Sequence, residues 1–177
     1  MPSDRRPRPP LDASALERLA LRYVERYATT RGKLTAYLAR KIRERGWEGM
    51  PADPAALAER MAGLGYVDDR AFAEARAAAM GRRGLGARRV QEALRFAGIE
   101  DEDREALTPV LKEDETRAAL TFARRRRIGP YAREAVEREL RERQIGAMVR
   151  AGHSPALARR IVNMLPGDDA ETLLACD

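Results

Sequence analysis

Arginine supplies most of the binding chemistry in this sequence. A guanidinium group forms charge-assisted hydrogen bonds with phosphate and carboxylate oxygens, often two at a time. The first group of basic residues surrounds a glycine-rich turn and comprises Arg82, Arg83, Arg88 and Arg89. The second group is the run Arg124, Arg125, Arg126 and Arg127, and the third is Arg40, Lys41 and Arg43. These residues are the candidate contacts with an acidic partner, the turn group first. For each group the alternative interpretation is a solvated surface of an arginine-rich protein.

Residue types that perform catalysis or bind metal ions are scarce. The chain has one histidine and one cysteine. His153 is interpreted as a connector residue, and Cys176 has no partner within the chain for a disulfide bond. The acidic residues Asp68, Asp69 and those at positions 100–103 are explained by helix capping and by the helix dipole. We therefore expect no enzymatic activity, no metal site and no cofactor.

The net charge of +6 indicates an acidic partner, and the charge is unevenly distributed along the chain. Residues 13–50 contain nine basic and four acidic residues, residues 66–99 seven and four, and residues 116–165 twelve and four. In contrast, residues 100–115 contain two basic and eight acidic residues, and residues 166–177 are also acidic. A continuous stripe for binding a polyanion would therefore be interrupted in the middle.

The turn with four arginines joins two predicted helices within residues 66–99. Asp68 is predicted to cap the first of these helices, and glycines 81, 84 and 86 end it. The predicted inward-facing residues of the first helix are Phe72, Ala75, Ala79 and Met80, and those of the second are Val90, Ala93, Leu94 and Ala97. Gly98 ends the second helix, so this segment is a helix, a turn and a helix.

The same unit is repeated along the chain. Each candidate unit closes with a glycine and a bulky residue, and the closing glycines are Gly46, Gly98 and Gly152. Helix-start pairs of a capping residue and a proline follow two of them, as Asp53-Pro54 and Ser154-Pro155. We therefore predict an all-α protein, an elongated array of three tandem three-helix repeats, at residues 13–65, 66–111 and 112–165. A disordered basic tail (1–12) and an acidic tail (166–177) flank the array.

Apolar spacing predicts the core-facing residues of the flanking helices. In the first repeat they are Leu16, Leu19, Ala20, Tyr23, Val24, Tyr27, Leu34, Tyr37, Leu38, Ile42, Leu57, Ala58, Met61 and Leu64. In the third repeat they are Ala119, Phe122, Ala123, Val136, Leu140, Ile145, Met148, Leu157, Ala158, Ile161, Val162 and Leu165. An acidic helix at about 101–111 has a weak point at Thr108-Pro109. Trp47 is predicted to pack under its loop, with stacking on a nucleic acid as the alternative.

The composition favours small cores. Apolar residues make up 44% of the chain but aromatic residues only 5%, so the core of each repeat has to be shared with its neighbours or remain shallow. No apolar run approaches the length of a membrane span, and the first twelve residues lack the apolar core of a signal peptide. We therefore expect a cytoplasmic protein.

The middle unit resembles a known family at specific positions. Tyr66, Asp68-Asp69 and Phe72, then Arg83-Gly84-x-Gly86-x-Arg88 and Leu94-x-x-x-Gly98-Ile99, are similar to the middle repeat of the RecX family, bacterial regulators of the RecA recombinase. The resemblance extends over roughly residues 16–165. The first unit departs from the family pattern by an insertion at 48–52, and the third by a basic join at 124–134.

This resemblance implies a function that the residues alone do not give. It implies a modulator, negative in its effect, that binds the RecA–DNA filament and limits filament extension, ATP hydrolysis and strand exchange in recombination and DNA repair. We expect the protein itself to be a monomer. The residues alone predict only a basic helical adaptor and do not identify its partner. The alternative is a DNA-binding protein that contacts the phosphates of single- or double-stranded DNA weakly and nonspecifically. Sequence-specific recognition is disfavoured because the predicted helix at 87–97 offers few base-reading groups besides arginine.

Overall fold

The computed structural model describes residues 9–174, and in this range the protein consists of α-helices and short 3₁₀ turns. The α-helices are α1 (Ala13–Arg26), α2 (Arg31–Arg45), α3 (Pro54–Gly63), α4 (Asp69–Arg82), α5 (Ala87–Phe96), α6 (Asp101–Ala106), α7 (Thr108–Glu113), α8 (Glu115–Arg126), α9 (Arg138–Arg150) and α10 (Pro155–Val162). The 3₁₀ turns are Gly129–Tyr131 and Ala170–Leu173. Between residues 9 and 174, extended pairing is limited to a single bridge between Leu11 and Trp47. The all-α prediction is confirmed.

Short polar side chains begin several helices. The carboxylates of Asp12, Asp53 and Asp68 each accept a hydrogen bond from the backbone N–H three residues later, at 2.7 to 2.9 Å. Such bonds satisfy donors that a helix leaves unpaired in its first turn. Ser154 precedes Pro155 as predicted, but its side chain makes no capping bond. Its backbone N–H instead donates to the Glu115 carboxylate at 3.2 Å.

The first compact unit, unit 1, contains the described residues 9–72 together with residues 97–99. Its core is formed by Leu11, Leu16, Ala20, Leu34, Leu38, Ala58, Met61 and Val67. Leu11 is fully buried and exchanges backbone hydrogen bonds with Gly46 and Glu48, although the sequence assigned it to a disordered tail. An apolar side chain next to the helix-capping Asp12 is the signal that this assignment overlooked. Residues 1–8 of that tail lie outside the described residues.

The second compact unit, unit 2, contains residues 73–96 and the described residues 100–174. Its core is formed by Ala119, Leu120, Ala123, Ile128, Met148, Leu157, Ala158, Ile161, Val162, Ala170 and Leu173. Helices α8, α9 and α10 contribute most of these side chains. Ala170 and Leu173 belong to the segment predicted as an acidic tail, and their burial shows that the chain packs onto unit 2 beyond residue 166.

Several side chains face differently from the prediction. In α4, Ala75 is exposed, whereas Ala73 and Ala77 are buried. Six of the fourteen residues of this helix are alanine, so the apolar spacing does not define one face. Tyr27, Leu64, Leu140 and Leu165 were predicted to face inward and are exposed, all of them near a helix end. The predicted helix at 101–111 is interrupted at Leu107, immediately before Thr108-Pro109, the weak point that the sequence indicated.

Two of the three closing glycines, Gly98 and Gly152, make the same close contact with another glycine. Gly46, Gly98 and Gly152 have φ values of 81°, 74° and 99°, a region that favours glycine. In unit 1, a Cβ on Gly32 would lie 2.8 Å from the Cα of Gly98. In unit 2, a Cβ on Gly86 would lie 2.3 Å from the carbonyl carbon of Gly152. Gly86 follows Gly32 by 54 residues, and Gly152 follows Gly98 by 54 residues, so the same glycine pair occurs twice. This recurrence is consistent with tandem repeats, while the elongated shape and the repeat boundaries stay predictions.

No helix within residues 9–174 is both long enough and apolar enough to cross a bilayer.

Candidate functional site

The structure joins two of the predicted arginine groups in unit 2. Arg82 and Arg83 lie at the C-terminal end of α4, and Arg124 to Arg127 lie at the C-terminal end of α8. The guanidinium of Arg125 donates hydrogen bonds to the carbonyl of Arg83 at 3.1 Å and to that of Arg82 at 3.2 Å. We call these six residues, all of them exposed, the arginine surface: Arg82, Arg83, Arg124, Arg125, Arg126 and Arg127.

Aromatic rings and backbone geometry orient other members of the arginine surface. The guanidinium of Arg124 lies 5.1 Å from the centre of the Tyr131 ring, and that of Arg126 lies 5.6 Å from the centre of Phe122. Cations at such distances are attracted by the ring quadrupole. Arg127 ends α8 in the left-handed conformation, with φ of 55°. Among the described residues, none of the six guanidinium groups pairs with a carboxylate, so the surface keeps its positive charge.

Arg88 and Arg89 are engaged elsewhere. The guanidinium of Arg88 donates to the carbonyl of Val149 at 2.9 Å and so ties the start of α5 to α9. The guanidinium of Arg89 forms an ion pair of 2.6 Å with Glu92, one turn along the same helix. The sequence grouped both residues with Arg82 and Arg83, but in the structure Arg88 bonds to another helix and Arg89 pairs within its own helix.

A buried histidine supports the arginine surface. The Nε2 atom of His153 lies 3.0 Å from the carbonyl oxygen of Gly84, and its ring contacts Phe122 edge-on with centroids 5.6 Å apart. Burial lowers the pKa of His153 below its usual range, and the bond to Gly84 and the nearby Glu115 carboxylate oppose that shift. The ring therefore packs between the turn that follows Arg83 and helix α8. This agrees with the predicted connector role and adds a positioning one.

The third predicted group lines a groove in unit 1 between α1 and α2. Arg40, Lys41 and Arg43 lie on its α2 side, and the groove has a volume of about 910 Å³. Glu44 accepts hydrogen bonds from Lys41 at 2.7 Å and from Arg40 at 3.4 Å. The bond from Lys41 is the main cause of the lowered pKa of Glu44. The rest of the lining is Leu19, Arg22, Tyr23, Arg26, Tyr27, Lys33, Ala36 and Tyr37.

Two structural anchors in unit 1 were not found from the sequence. The buried carboxylate of Asp69 accepts hydrogen bonds from Arg31, from the backbone N–H at 2.9 Å and from Nε at 3.2 Å. The hydroxyl of Thr30 donates to the carbonyl of Ala97. Asp69 had a sufficient local explanation at a helix N-terminus, and no short-range pattern indicates a partner 38 residues away.

Trp47 packs against the unit 1 core as predicted and donates from its indole nitrogen to the carbonyl of Met50 at 2.6 Å.

Metal-ligating side chains do not converge in the part of the chain that the structure describes. No group of three or more histidine, cysteine, aspartate or glutamate side chains there could hold a metal ion. Cys176 lies outside the described residues. The two candidate binding surfaces in the described residues are both cationic: the arginine surface in unit 2 and the basic groove in unit 1.

Comparison with known proteins identifies relatives over most of the chain. No protein-family model matches it. A regulatory protein RecX from Myxococcus xanthus is 31% identical over 163 residues, which cover 85% of this chain and 86% of the relative. Another from Agrobacterium fabrum is 30% identical over 167 residues, which cover 92% of this chain and 86% of the relative.

Solved structures resemble the fold. The crystal structure of RecX from Lactobacillus salivarius matches with a TM-score of 0.60 at 18% identity, covering 93% of this chain and 97% of that one. A second crystal structure, of a regulatory protein RecX, matches with a TM-score of 0.58 at 21% identity, covering 84% of this chain and 72% of that one. By the sequence identity and coverage of its relatives, the chain belongs to the RecX family of regulatory proteins.

Proposed function

We propose that this protein regulates the RecA recombinase by binding the RecA–DNA filament in the cytoplasm as a monomer. It limits filament extension, ATP hydrolysis and strand exchange in recombination and DNA repair. The observation that carries this proposal is the arginine surface, six exposed arginines that have no carboxylate partner within residues 9–174, in a chain of the RecX family. The recombinase itself comes from the family resemblance.

The positive charge and the predicted tandem repeats of the protein suit binding to a recombinase–DNA filament. A filament of recombinase on DNA presents phosphates and a regularly repeated protein surface. Guanidinium groups bind phosphates and carboxylates alike. The predicted repeats at 13–65, 66–111 and 112–165 would act as three weak modules on one chain, and their connection raises the effective concentration of each. The sequence lacks a Walker-type loop, so the effect on ATP hydrolysis is exerted at the partner's site.

Nonspecific binding to DNA phosphates is the alternative function, and the arginine surface favours it as well. That function requires no recombinase. It predicts that log K falls with log salt concentration by about 0.9 for each duplex phosphate neutralised. Since a filament regulator can also have some affinity for DNA, binding to naked DNA does not separate the two functions. Action on a preformed filament at a small fraction of the recombinase concentration does separate them.

Charge reversal on the arginine surface tests the proposed contact. The variant replaces four arginines by Glu: Arg82, Arg83, Arg124 and Arg126. Arg125 is kept because its hydrogen bonds to the carbonyls at 82 and 83 hold the turn after α4 in place. We expect binding to a preformed filament to weaken about thirty-fold or more, since four exposed charge contacts at roughly 0.5 kcal/mol each total about 2 kcal/mol. The measurement is the binding isotherm on immobilised filaments, with far-ultraviolet circular dichroism to verify helical content.

The matched control reverses four other exposed arginines of unit 2, Arg138, Arg141, Arg159 and Arg160, and so changes the net charge by the same amount. The control should bind with nearly unchanged affinity. Equal weakening in both variants would mean that the net charge, and not this surface, determines binding. Retained binding in the first variant would refute the contact.

A further inference from the structure

The groove between α1 and α2 combines positive charge with aromatic rings. Its lining contains six cationic side chains, from Arg22, Arg26, Lys33, Arg40, Lys41 and Arg43, and no carboxylate. Three of the five tyrosines of the protein, Tyr23, Tyr27 and Tyr37, lie in the same groove. A merely solvated helix face mixes charges of both signs, whereas this lining carries only positive charge. Tyr23 and Tyr37 are partly buried and pack against the unit 1 core, but Tyr27 is exposed. The groove therefore combines a cationic lining with an open aromatic ring.

The tyrosine rings form a continuous series. The Tyr23 and Tyr37 rings stack with centroids 4.2 Å apart and an angle of 22° between their planes. The Tyr27 ring is 5.2 Å from that of Tyr23 and tilted by 50°. Tyr27 is 50% exposed, so it leaves ring surface open at one end of the series. The guanidinium of Arg26 lies 5.5 Å from the centre of the Tyr27 ring.

Much of the positive charge in the groove is available to a ligand. Glu44 bonds to Arg40 and Lys41 and compensates part of their charge. In contrast, Arg22, Arg26, Lys33 and Arg43 have no carboxylate partner among the described residues. The Lys33 ammonium lies over the Phe72 ring at 4.8 Å, and Arg22 donates to the carbonyl of Arg18 at 3.3 Å. Neither contact neutralises charge.

We propose that this groove binds single-stranded nucleic acid, with phosphates on the cationic side chains and a base stacked on Tyr27. Base stacking on an aromatic ring within a basic groove is a general way of binding single strands without sequence preference. A duplex keeps its bases paired inside and offers none to the ring. An acidic peptide would use the cations and leave the tyrosines without a role. The proposal does not rest on recombinase binding, because the groove lies in unit 1 and needs no second protein.

The test uses the full-length protein without recombinase. Fluorescence anisotropy of a labelled oligothymidylate gives the affinity, and Tyr27→Ala should lower it at least about five-fold, the lower limit for a stacked base. Tyr27→Phe keeps the ring and should retain most of the affinity. The matched control is Tyr66→Ala, which removes a tyrosine of similar exposure, 52%, outside the groove.

A second set of measurements tests the phosphate contacts. Replacing both Arg22 and Arg26 by Ala should reduce the slope of log K against log salt by about 1.4, because each single-strand phosphate contact contributes about 0.7. The double control Arg159→Ala with Arg160→Ala should leave the slope unchanged.

Competition experiments identify the class of ligand. Unlabelled oligothymidylate should displace the labelled strand at lower concentration per charge than a blunt DNA duplex, inorganic polyphosphate or polyglutamate. Equal competition by polyphosphate or polyglutamate would mean that the groove recognises charge alone and would overturn the proposal. Equal loss in Tyr27→Ala and Tyr66→Ala would overturn it as well. Since no recombinase is present, either result leaves filament regulation to be judged by its own test.

Discussion

Gly86→Ala lowers the free energy of unfolding by about 3 kcal/mol, the upper part of the usual range for overpacking. The new Cβ would lie 2.3 Å from the carbonyl carbon of Gly152 and 2.4 Å from its oxygen. The obstacle is backbone, which cannot move aside as the end of a side chain can. The backbone there is also held by the hydrogen bonds from Gly86 to Ala151 at 2.9 Å and from Arg88 to Gly152 at 3.2 Å. Denaturant unfolding followed by circular dichroism measures the effect.

Two other glycines serve as controls for this prediction. Gly63 has no atom within 4 Å of a new Cβ, so Gly63→Ala should be neutral or slightly stabilising. Gly65 has the same free space but φ of 79°, so Gly65→Ala isolates the conformational cost of about 1–2 kcal/mol. A Gly86→Ala variant as stable as Gly63→Ala would show that the close approach of the two glycines does not exist in solution.

Asp69→Ala is expected to destabilise the protein by about 3 kcal/mol. The Asp69 side chain is only 4% exposed and accepts two hydrogen bonds from Arg31. Its removal leaves a backbone N–H at the start of α2 without its acceptor and a guanidinium without its buried carboxylate. The value is at the low end for broken buried ion pairs because the Arg31 side chain, 27% exposed, can regain some hydration.

Glu59 provides a matched control for Asp69. Its carboxylate pairs with the same arginine at 3.2 Å, but its side chain is 67% exposed. Exposed ion pairs contribute little, so Glu59→Ala should cost less than about 1 kcal/mol in the same unfolding experiment. Equal effects of the two substitutions would contradict the anchoring role of Asp69.

Local signals made much of the fold predictable from the sequence. Asp53-Pro54 and Asp68 mark helix starts through side chains that bond within three residues, and the structure contains both bonds. Gly46, Gly98 and Gly152 were predicted to close helices, and each adopts the positive φ that makes glycine favourable there. In these cases the interacting groups lie within a few residues of each other, so a short sequence pattern is enough to predict the structure.

The remaining features depend on residues that meet only after folding. The inward face of α4 was predicted only in part: Met80 is buried as predicted, but Ala75 is exposed. Six of the fourteen residues of this helix are alanine, and contacts from other elements decide which of them are buried. The bonds of Arg125 to the carbonyls at 82 and 83 span more than 40 residues, so the sequence showed two arginine groups and not one surface. Tyr23 and Tyr37 pack against the unit 1 core as their spacing predicted, whereas Tyr27 is exposed. Because all three fit the pattern of core residues, the sequence did not indicate that their rings also line a groove.

ATP hydrolysis by preformed RecA filaments on single-stranded DNA tests the central claim most directly. The protein is added at near-physiological salt, in amounts far below the recombinase concentration. Regulation of the filament predicts inhibition at a small fraction of that concentration, because one bound molecule would affect many recombinase subunits. If hydrolysis is unchanged until the protein saturates the DNA, the protein merely competes for phosphates, and the account of it as a filament regulator is contradicted.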